Sequence, residues 1–294
     1  MSYFVYILEC ADKTLYVGST NNLPKRLHAH NNLKSGAHYT KIRRPVILRY
    51  QEKFSTYSKA RKREGEIKSW ARKNKIEFIK NNQKPMPKTK KYEKLASQKA
   101  IAKTLKSLKE RGFIPEVVAT KAEAFARIKA LIPKGASVMN GASQTLEQIG
   151  FIDYLKDGKN GWNNLKENIL AEKDPAKQAK LRRESVLSDY YLGSAHAVAE
   201  TGEIVIASNS GSQLPHLVFT SPNLILVVGT QKIAPKLSDA LDRVKKYVLP
   251  LEDARAKGLG WGGSFISKLL IINREFAAMG RKFHIIFVQE KLGF

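Results

Sequence analysis

The sequence predicts a two-domain α/β protein in which a small α+β domain precedes a larger α/β domain. A chain of 294 residues is long for one compact core, and a hydrophobic content of 43% is enough to bury two. Residues 80–98 combine two prolines, amides and a lysine cluster, which is typical of a linker. Beyond them, helical patterns alternate with apolar runs. We therefore predict a domain at residues 1–83, a basic linker at 84–94 and a domain at 95–294.

The charge of the chain predicts a polyanionic partner. Of the net charge of +26, more than half lies in residues 1–94. An acidic membrane surface or a solubilising surface would fit the same charge. The single cysteine, Cys10, leaves no disulfide framework and no cysteine-ligated iron–sulfur cluster within this chain, and it favours a cytoplasmic location. No apolar run approaches the roughly 20 residues that span a bilayer, so we expect no membrane partner.

The first domain has the predicted order strand, strand, helix, strand, helix. Residues 3–10 and 15–20 are rich in aromatic and β-branched residues, and the short polar turn between them predicts an antiparallel hairpin. A helix over 22–32 has Asn22 as a possible cap and Pro24 in its first turn. A third strand at 43–54 and one long helix at 55–79, opened by a Ser or Thr cap, complete the domain. This pattern predicts a short antiparallel sheet with helices.

The second domain alternates helices and strands. Its first predicted elements are a helix at 95–112, a strand at 115–120, a helix at 121–133 and a strand at 136–141. After a polar stretch around 156–167, four apolar runs predict further strands at 195–208, 223–229, 268–273 and 282–288. In the first of these runs, Thr201 and Gly202 suit a tight turn and predict an antiparallel pair. The pattern predicts a sheet with helices on its faces.

Polar side chains in the first domain form a candidate site. Strand alternation puts Tyr6 on one face of the first strand, and it pairs Tyr16 with Gly18 in the second, where a glycine leaves room for a ligand. The helices add three further side chains: Arg26, His30 and Glu64. The set holds a hydroxyl that can relay a proton, a cation for a developing phosphorane charge and a carboxylate for a divalent ion. Taken singly, each residue also suits a structural role on a strand or a solvated helix face.

These residues resemble the GIY-YIG nuclease family, in particular its small UvrC-like and YhbQ-like members, over residues 1–83. The matching elements occur in the family's order, with Phe4-Val5-Tyr6 in place of Gly-Ile-Tyr, and they continue through Tyr16-Val17-Gly18, the helix of Arg26 and His30, residues 41–48 and the segment of Glu64. The resemblance implies hydrolysis of phosphodiester bonds with one divalent cation, Mg²⁺ or Mn²⁺. It implies these roles: Glu64 holds the metal, Tyr6 is a general base or relay, Tyr16 orients the phosphate or water, Arg26 stabilises the transition state, and His30 positions Tyr6 or shares its proton.

Basic side chains of the same domain are candidate contacts to a DNA backbone. They are Lys25, Lys41, Arg43, Arg44, Arg61, Arg63 and Lys68. Tyr39, Tyr57 and Trp70 are interleaved with them and could stack on unpaired bases. A solvated helix face is the alternative for the later cations. Since the sequence shows no base-reading module, we expect DNA recognition by structure rather than by sequence.

Polar loops of the second domain are candidate walls of an anion site. One loop follows a strand and opens a helix, so that its backbone N–H groups could face an anion: Asn140, Gly141, Ser143, Gln144 and Thr145. A second loop supplies Ser208 and Ser210. Both loops are also ordinary strand-to-helix connections.

The second domain resembles the LUD family, the LutC-like proteins named for lactate utilisation, over residues 95–294. The matching positions include Ser143, Thr145, Ser194 and Glu200. The resemblance implies a fold similar to the sugar-phosphate isomerase and CoA-transferase superfamily. It also implies that any iron–sulfur centre belongs to a partner subunit. Glu200 is either a counterpart of the catalytic glutamate of CoA transferases or a residue that stabilises the turn at Thr201 and Gly202.

Two functions from different classes follow from these resemblances. The first is a metal-dependent endonuclease that acts on DNA, with a second domain that binds a small anionic metabolite or a partner. The second is a metabolic accessory protein of the lactate-utilisation type, whose first domain only binds nucleic acid. Cleavage assays distinguish them.

Overall fold

The computed structural model describes residues 2–82, 90–260 and 262–294. The chain forms two compact units, one of Met1–Pro87 with Leu249–Phe265 and one of Lys88–Val248 with Ile266–Phe294. Most of the predicted linker at 84–94 falls outside the described residues; its later part contains one helical turn at Lys90–Glu93.

The first unit contains a three-stranded antiparallel sheet in the order β2-β1-β3. Its leading elements are β1 (Tyr3–Glu9), β2 (Leu15–Thr20), α1 (Leu23–Asn32), α2 (His38–Lys41), β3 (Ile47–Phe54), α3 (Tyr57–Ser69) and α4 (Arg72–Asn82). Asn22 caps α1 through its side chain, as predicted. The predicted hairpin is confirmed, and its register puts Tyr6 opposite Gly18.

The two faces of this sheet carry different cores. Val5 and Ile7 of β1 pack with Ala60 and Ile67 of α3. Tyr6 and Leu8 point to the other face, where Leu23 and Leu27 of α1 cover them. The predicted alternation of β1 is therefore confirmed, and α1 lies over the face that holds Tyr6.

The prediction of one continuous helix at 55–79 was wrong. Thr56 caps α3, but the helix ends at Trp70, whose backbone is extended (φ −65°, ψ 147°), and α4 starts at Arg72. The Trp70 and Phe78 rings meet edge to face with their centroids 4.8 Å apart. Lys75 Nζ donates to the carbonyl oxygens of Lys68 and Trp70 at the end of α3. Tertiary packing thus divides a segment that contains no glycine or proline near the break.

The second unit is built on a six-stranded parallel sheet in the order β4-β13-β10-β7-β5-β6. The remaining elements of the chain are α5 (Lys90–Glu93), α6 (Gln98–Glu110), β4 (Ile114–Val118), α7 (Lys121–Leu131), β5 (Ser137–Asn140), α8 (Gln144–Gln148), α9 (Phe151–Lys156), β6 (Asn163–Asn164), α10 (Leu165–Ala171), α11 (Pro175–Glu184), β7 (Tyr190–Gly193), β8 (Ala197–Ala199), β9 (Ile204–Ser208), β10 (Asn223–Gly229), β11 (Ile233–Ala234), α12 (Leu237–Arg243), α13 (Leu249–Gly258), β12 (Lys268–Ile272) and β13 (Lys282–Val288). Of these, α13 packs within the first unit, against β3.

Apolar side chains cover both faces of the parallel sheet. Along β10, Ile225 and Val227 enter one core while Leu224 and Leu226 enter the other. The continuous apolar run at 223–229 is explained by this double burial. The prediction of an α/β domain with flanking helices is confirmed, whereas the similarity to the sugar-phosphate isomerase superfamily stays a prediction.

A second sheet of four strands has the order β11-β8-β9-β12. In it, β8 and β9 are antiparallel, and Gly202 lies in their turn with a φ of +99°. The predicted antiparallel pair is therefore confirmed. The positive φ explains why glycine occupies the turn, since other residues adopt this backbone conformation only at a cost. The polar stretch at 156–167 contains β6 and the start of α10.

Candidate functional site

A chain of hydrogen bonds links the predicted residues on the α1 face of the small sheet. The Tyr6 hydroxyl lies 2.9 Å from His30 Nε2. On the other side of the ring, His30 Nδ1 lies 2.7 Å from Thr40 Oγ1, which donates to the carbonyl oxygen of Ala37 at 2.9 Å. Arg26 Nε approaches the Tyr6 oxygen at 3.4 Å. The structure therefore brings Tyr6, Arg26 and His30 together, with Thr40 behind them.

The hydroxyl of Thr40 determines the direction of this chain. Because it donates to a carbonyl, it accepts the proton of His30 Nδ1. His30 Nε2 is then unprotonated and accepts the hydroxyl hydrogen of Tyr6. Burial, with the charges of Arg26 and Arg44, lowers the pKa of His30 to about 4, so its ring is neutral at neutral pH.

Burial also holds the Tyr6 hydroxyl in its protonated form. It raises the pKa of Tyr6 to about 12, although the hydrogen bond from Arg26 opposes it. Burial lowers the pKa of the Arg26 guanidinium, but its interactions with Tyr6 and Tyr16 outweigh this effect and raise it. Arg26 thus remains a cation beside both phenols, where it can stabilise negative charge.

Gly18 leaves the space that the Tyr6 ring occupies. A Cβ at residue 18 would lie 2.5 Å from the Tyr6 hydroxyl oxygen and 3.1 Å from Tyr16 Cε1. Real Cβ atoms do not approach oxygen so closely, so only glycine fits here without a shift of the ring. The glycine that follows Tyr16 and Val17 is therefore needed for packing against the predicted proton relay.

Glu64 is held at the edge strand β2 by groups that keep it ionised. Ser19 Oγ donates to its carboxylate at 2.5 Å, Arg61 at 2.8 Å, and Lys68 Nζ lies 2.6 Å away. Burial alone would raise the pKa of Glu64, but Lys68, Ser19 and Arg61 lower it. The carboxylate also contributes to the raised pKa of Tyr6, so it lies within electrostatic reach of that phenol.

The donor set around Glu64 fits one hard divalent cation. Within residues 2–82, 90–260 and 262–294, no three His, Cys, Asp or Glu side chains are grouped to hold a metal. Mg²⁺ keeps several of its waters and commonly uses one or two carboxylates, so a single ionised carboxylate beside a serine hydroxyl is sufficient. Arg61 and Lys68 are about half exposed and can move away from the carboxylate.

Several of the predicted DNA contacts have partners within the protein. Arg44 donates to the carbonyl oxygens of Ala29, His30 and Leu33 at the end of α1. Arg63 pairs with Glu52 and Glu66. Arg61 and Lys68 bind Glu64, as described above. Within the described residues, neither Lys25 nor Lys41 takes part in an ion pair.

Two aromatic rings extend from the site toward the surface. Tyr16 stacks on Tyr39 with ring centroids 6.2 Å apart, and its edge meets His30. The Arg43 guanidinium lies 4.1 Å from the centre of the Tyr39 ring, and Asp12 accepts a hydrogen bond from Arg43. Tyr39 is exposed, so this platform is open to a base or sugar. Of the other predicted aromatics, Tyr57 packs on Tyr3 and Trp70 on Phe78.

The predicted loops of the second unit use much of their polarity locally. Ser143 Oγ caps α8, and Asn140 donates to the carbonyl oxygen of Gly141. The hydroxyl groups of Ser210 and Ser212 bond to each other, and Ser208 Oγ accepts from Gly211 N. Gln144 is the half-buried first residue of α8, and Glu200 forms an ion pair with Lys103 at 3.2 Å.

Lys232 is a buried residue that sequence reasoning missed. Its Nζ donates to Thr145 Oγ1 and Ser194 Oγ, each at 3.1 Å, which brings together two of the predicted ligand residues. Burial, reinforced by the charge of Arg243, lowers the pKa of Lys232 to about 7. A usable signal was present, since Lys232 closely follows the apolar run 223–229, where strand ends carry functional groups. For Thr40 and Ser19 the sequence gives no such signal.

Two family models match different parts of the chain. Residues 2–77 match the GIY-YIG catalytic domain, and residues 101–288 match the LUD domain. A UPF0213 protein of Syntrophus aciditrophicus is 52% identical over 83 residues, which are 28% of this chain and 95% of that protein. A UPF0213 protein of Staphylococcus haemolyticus is 51% identical over 77 residues, which are 26% of this chain and 93% of that protein. These names state no activity.

Two solved structures are also similar to parts of the chain. The solution structure of a UPF0213 protein from Bacillus halodurans is 33% identical and covers 29% of this chain and 89% of its own, with a TM-score of 0.21. The crystal structure of a DUF162 family protein from Deinococcus radiodurans is 12% identical and covers 66% of this chain and 99% of its own, with a TM-score of 0.40.

The chain is a two-domain α/β protein with a small antiparallel sheet and a larger parallel sheet. It belongs to the LUD domain family, and its N-terminal part is a GIY-YIG domain of the UPF0213 type. Among the residues that the structure describes, no helix is long and apolar enough to cross a membrane.

Proposed function

We propose that the N-terminal domain is an endonuclease that hydrolyses DNA phosphodiester bonds with one divalent cation, Mg²⁺ or Mn²⁺. The observation that carries this proposal is the directed chain from Tyr6 through His30 to Thr40. A buried tyrosine hydroxyl needs a hydrogen-bond partner in any role, and the partner of Tyr6 is a neutral, oriented imidazole that can accept its proton. We also propose that the protein acts in the cytoplasm, with the functional division at residues 1–83, 84–94 and 95–294.

The proton chemistry follows from the direction of this chain. A phenol with a pKa near 12 is protonated at neutral pH and can take up a proton only as it gives away its own, so Tyr6 acts as a relay. It passes its hydroxyl hydrogen to His30 Nε2 while it takes a proton from the attacking water. Arg26 donates to the Tyr6 oxygen and stabilises the phenolate character that develops. Tyr16 borders the same space and would orient the phosphate or the water.

Glu64 would hold the cation, with Ser19 as its neighbour. The cation would supply Lewis-acid stabilisation of the charge on the phosphoryl oxygens. Arg61 and Lys68 already neutralise the carboxylate, and they are also predicted DNA contacts. A DNA phosphate would attract these two cations and leave Glu64 available to the metal.

Recognition would depend on DNA structure. Lys25, Lys41 and Arg43 would contact phosphates, which carry no sequence information. Tyr39 would stack on an unpaired base, which favours branched or single-stranded substrates over intact duplex.

The test is cleavage of labelled single-stranded, duplex and branched DNA by the full chain with Mg²⁺ or Mn²⁺. We expect cleavage by the wild type, none by Glu64→Gln, and wild-type cleavage by Glu66→Gln. Glu66 lies on the same helix but binds Arg63, so it is a matched control. Equal cleavage by the Glu64 and Glu66 variants would contradict the assignment of the metal site.

A second function, supported by a specific observation, is that of a metabolic accessory protein whose first domain only binds DNA. Glu64 is fully engaged by Ser19, Arg61 and Lys68, which is also how a purely structural carboxylate is satisfied. In that case the wild type binds DNA in a salt-dependent way but cleaves none of the three substrates with either metal. An iron–sulfur centre would then belong to a partner subunit.

We further propose that the LUD domain binds a small anionic metabolite or a partner. The loops with Asn140 to Thr145 and with Ser208 to Ser210 support this, because the side chain of Gln213 lies close to the first loop. Its Oε1 accepts a hydrogen bond from the Tyr191 hydroxyl. The same oxygen would lie 3.2 Å from a Cβ at Gly141. A thermal-shift screen of carboxylates and phosphates tests the proposal. We expect stabilisation that Ser143→Ala or Ser210→Ala reduces, and no stabilisation by any compound would count against it.

A further inference from the structure

Three polar side chains meet at the carboxyl edge of the parallel sheet in the second unit. Thr145 follows β5, Ser194 follows β7 and Lys232 follows β10, and these strands are neighbours in the sheet. Lys232 Nζ donates to both hydroxyl oxygens at 3.1 Å. In open parallel sheets, ligands bind beyond the carboxyl ends of the strands. The three side chains therefore lie where this architecture places a ligand.

Within residues 2–82, 90–260 and 262–294, no carboxylate forms an ion pair with the positive charge at this edge. Lys232 is 2% exposed, and its pKa is influenced by Arg243 but by no carboxylate. Arg243 is 1% exposed, its Nη1 donates to the carbonyl oxygen of His196, and its guanidinium lies 5.0 Å from the centre of the Tyr247 ring. Its Nε and Nη2 have no hydrogen-bond partner in the part of the chain that the structure describes. His196 is neutral, because burial and these two cations lower its pKa to about 3, and its Nδ1 accepts from Ala207 N. Buried charges in proteins are normally paired, so a partner from solution is expected.

Unused donor capacity is present beside Lys232. An ammonium has three N–H donors, and the two hydroxyls occupy two of them, which leaves one for a ligand. A Cβ at Gly293 would lie 2.5 Å from Thr145 Oγ1 and 3.1 Å from Lys232 Nζ. A side chain at that position would press on both groups, so the chain at Gly293 lies directly against them and only glycine leaves them in place.

We propose that Lys232, Thr145 and Ser194 form a buried binding site for the oxyanion group of a small metabolite, either a carboxylate or a phosphate. This inference rests on the proposed anionic ligand of the LUD domain and assigns it to Lys232 rather than to the serine loops. The oxyanion accepts from the lysine ammonium and from the hydroxyl groups, and its charge offsets that of Lys232 and Arg243.

Binding at this site takes up a proton above neutral pH. With a pKa near 7, much of Lys232 is the neutral amine at pH 8, whereas the anion favours the ammonium. Its charged and titratable neighbours do not change state between pH 7 and 9, because Arg243 stays a cation and His196 stays neutral. The affinity for the anion therefore falls by about tenfold for each pH unit above 7.

The test is titration calorimetry on the full chain with sodium acetate and sodium sulfate, against sodium chloride at equal ionic strength. Acetate stands for a carboxylate and sulfate for a phosphate whose charge does not change with pH. At pH 8, in two buffers of different ionisation enthalpy, we expect saturable binding of one or both anions with proton uptake. Lys232→Met weakens this binding at least tenfold, and Lys236→Met leaves it unchanged, because Lys236 is exposed.

Each remaining outcome decides the proposal. Saturable binding that Lys232→Met leaves intact overturns the assignment to Lys232 but leaves anion binding by the LUD domain standing. Binding of neither anion by the wild type overturns the inference, and the cleavage assays on the first domain are unaffected by that result. If Lys232→Met does not fold, the double variant Thr145→Val with Ser194→Ala keeps the lysine, and it must also weaken binding at least tenfold.

Discussion

The role of Thr40 provides a sharp prediction about the candidate nuclease site. Thr40→Val replaces the hydroxyl with a methyl group of similar shape and removes the acceptor for the proton on His30 Nδ1. His30 is fully buried, so water does not replace that acceptor. The ring then moves its proton to Nε2, which can no longer accept from Tyr6.

The expected loss of activity follows from the cost of an unsatisfied donor. Leaving the buried Nδ1–H without an acceptor costs about 1–3 kcal/mol, so the productive tautomer becomes a minor species. Each 1.36 kcal/mol corresponds to about tenfold in population or rate. The rate of DNA cleavage in Thr40→Val should therefore fall by about 10- to 100-fold.

The assay is single-turnover cleavage of a labelled branched DNA with Mg²⁺, with the fold checked by circular dichroism. Thr40→Ser is the matched control, because it keeps the hydroxyl, and we expect it to cleave at close to the wild-type rate. Wild-type cleavage by Thr40→Val would refute the directed relay. Equal losses in the Val and Ser variants would show that the site is sensitive to any change at Thr40, so the loss in Thr40→Val could not be assigned to the hydroxyl.

Three further predictions concern packing, metal competition and linkage. Gly18→Ala displaces the Tyr6 ring, so we expect cleavage to be lost and the free energy of unfolding in urea to fall by about 1–3 kcal/mol. A variant that keeps full activity would contradict the close approach of Gly18 to the Tyr6 hydroxyl. Lys68→Met removes one cation from Glu64, so half-maximal cleavage should need less Mg²⁺, and an unchanged requirement would show that Lys68 does not compete. Lys232 has a folded-state pKa of about 7, below its ordinary 10.5, so the unfolded chain binds more protons between these values. The unfolding free energy of the wild type should therefore rise relative to Lys232→Met from pH 7 to 10, by at most about 4 kcal/mol, and a constant difference in urea unfolding would contradict this.

Periodicity predicted most of the secondary structure but not its interruptions. The hairpin at residues 3–20 and the apolar runs 223–229 and 282–288 were read correctly, because burial on one or two faces sets their patterns. The break at Trp70 was missed, since it depends on the contact of Trp70 with Phe78 and not on a local breaker. The order of six parallel strands was also beyond the sequence, because pairing between distant strands leaves no periodic signal.

The candidate sites divide in the same way. Tyr6, Arg26 and His30 were predicted from strand and helix periodicity and are in contact. Thr40 was not predicted, because it lies on a short helix whose position depends on tertiary contacts. Lys232 follows the apolar run 223–229, but its burial, which distinguishes it from the other lysines, depends on tertiary packing.

The central claim is that the Tyr6 hydroxyl relays a proton during phosphodiester hydrolysis. The most direct measurement is single-turnover cleavage of branched DNA with Mg²⁺ by Tyr6→Phe, compared with Tyr50→Phe. Tyr50 lies on β3, where its hydroxyl donates to Glu52, so its variant controls for the loss of a strand phenol. We expect Tyr6→Phe to lose at least about 100-fold in rate and Tyr50→Phe to stay near the wild type. Equal rates for Tyr6→Phe and the wild type, or no cleavage by the wild type with either metal, would contradict the account.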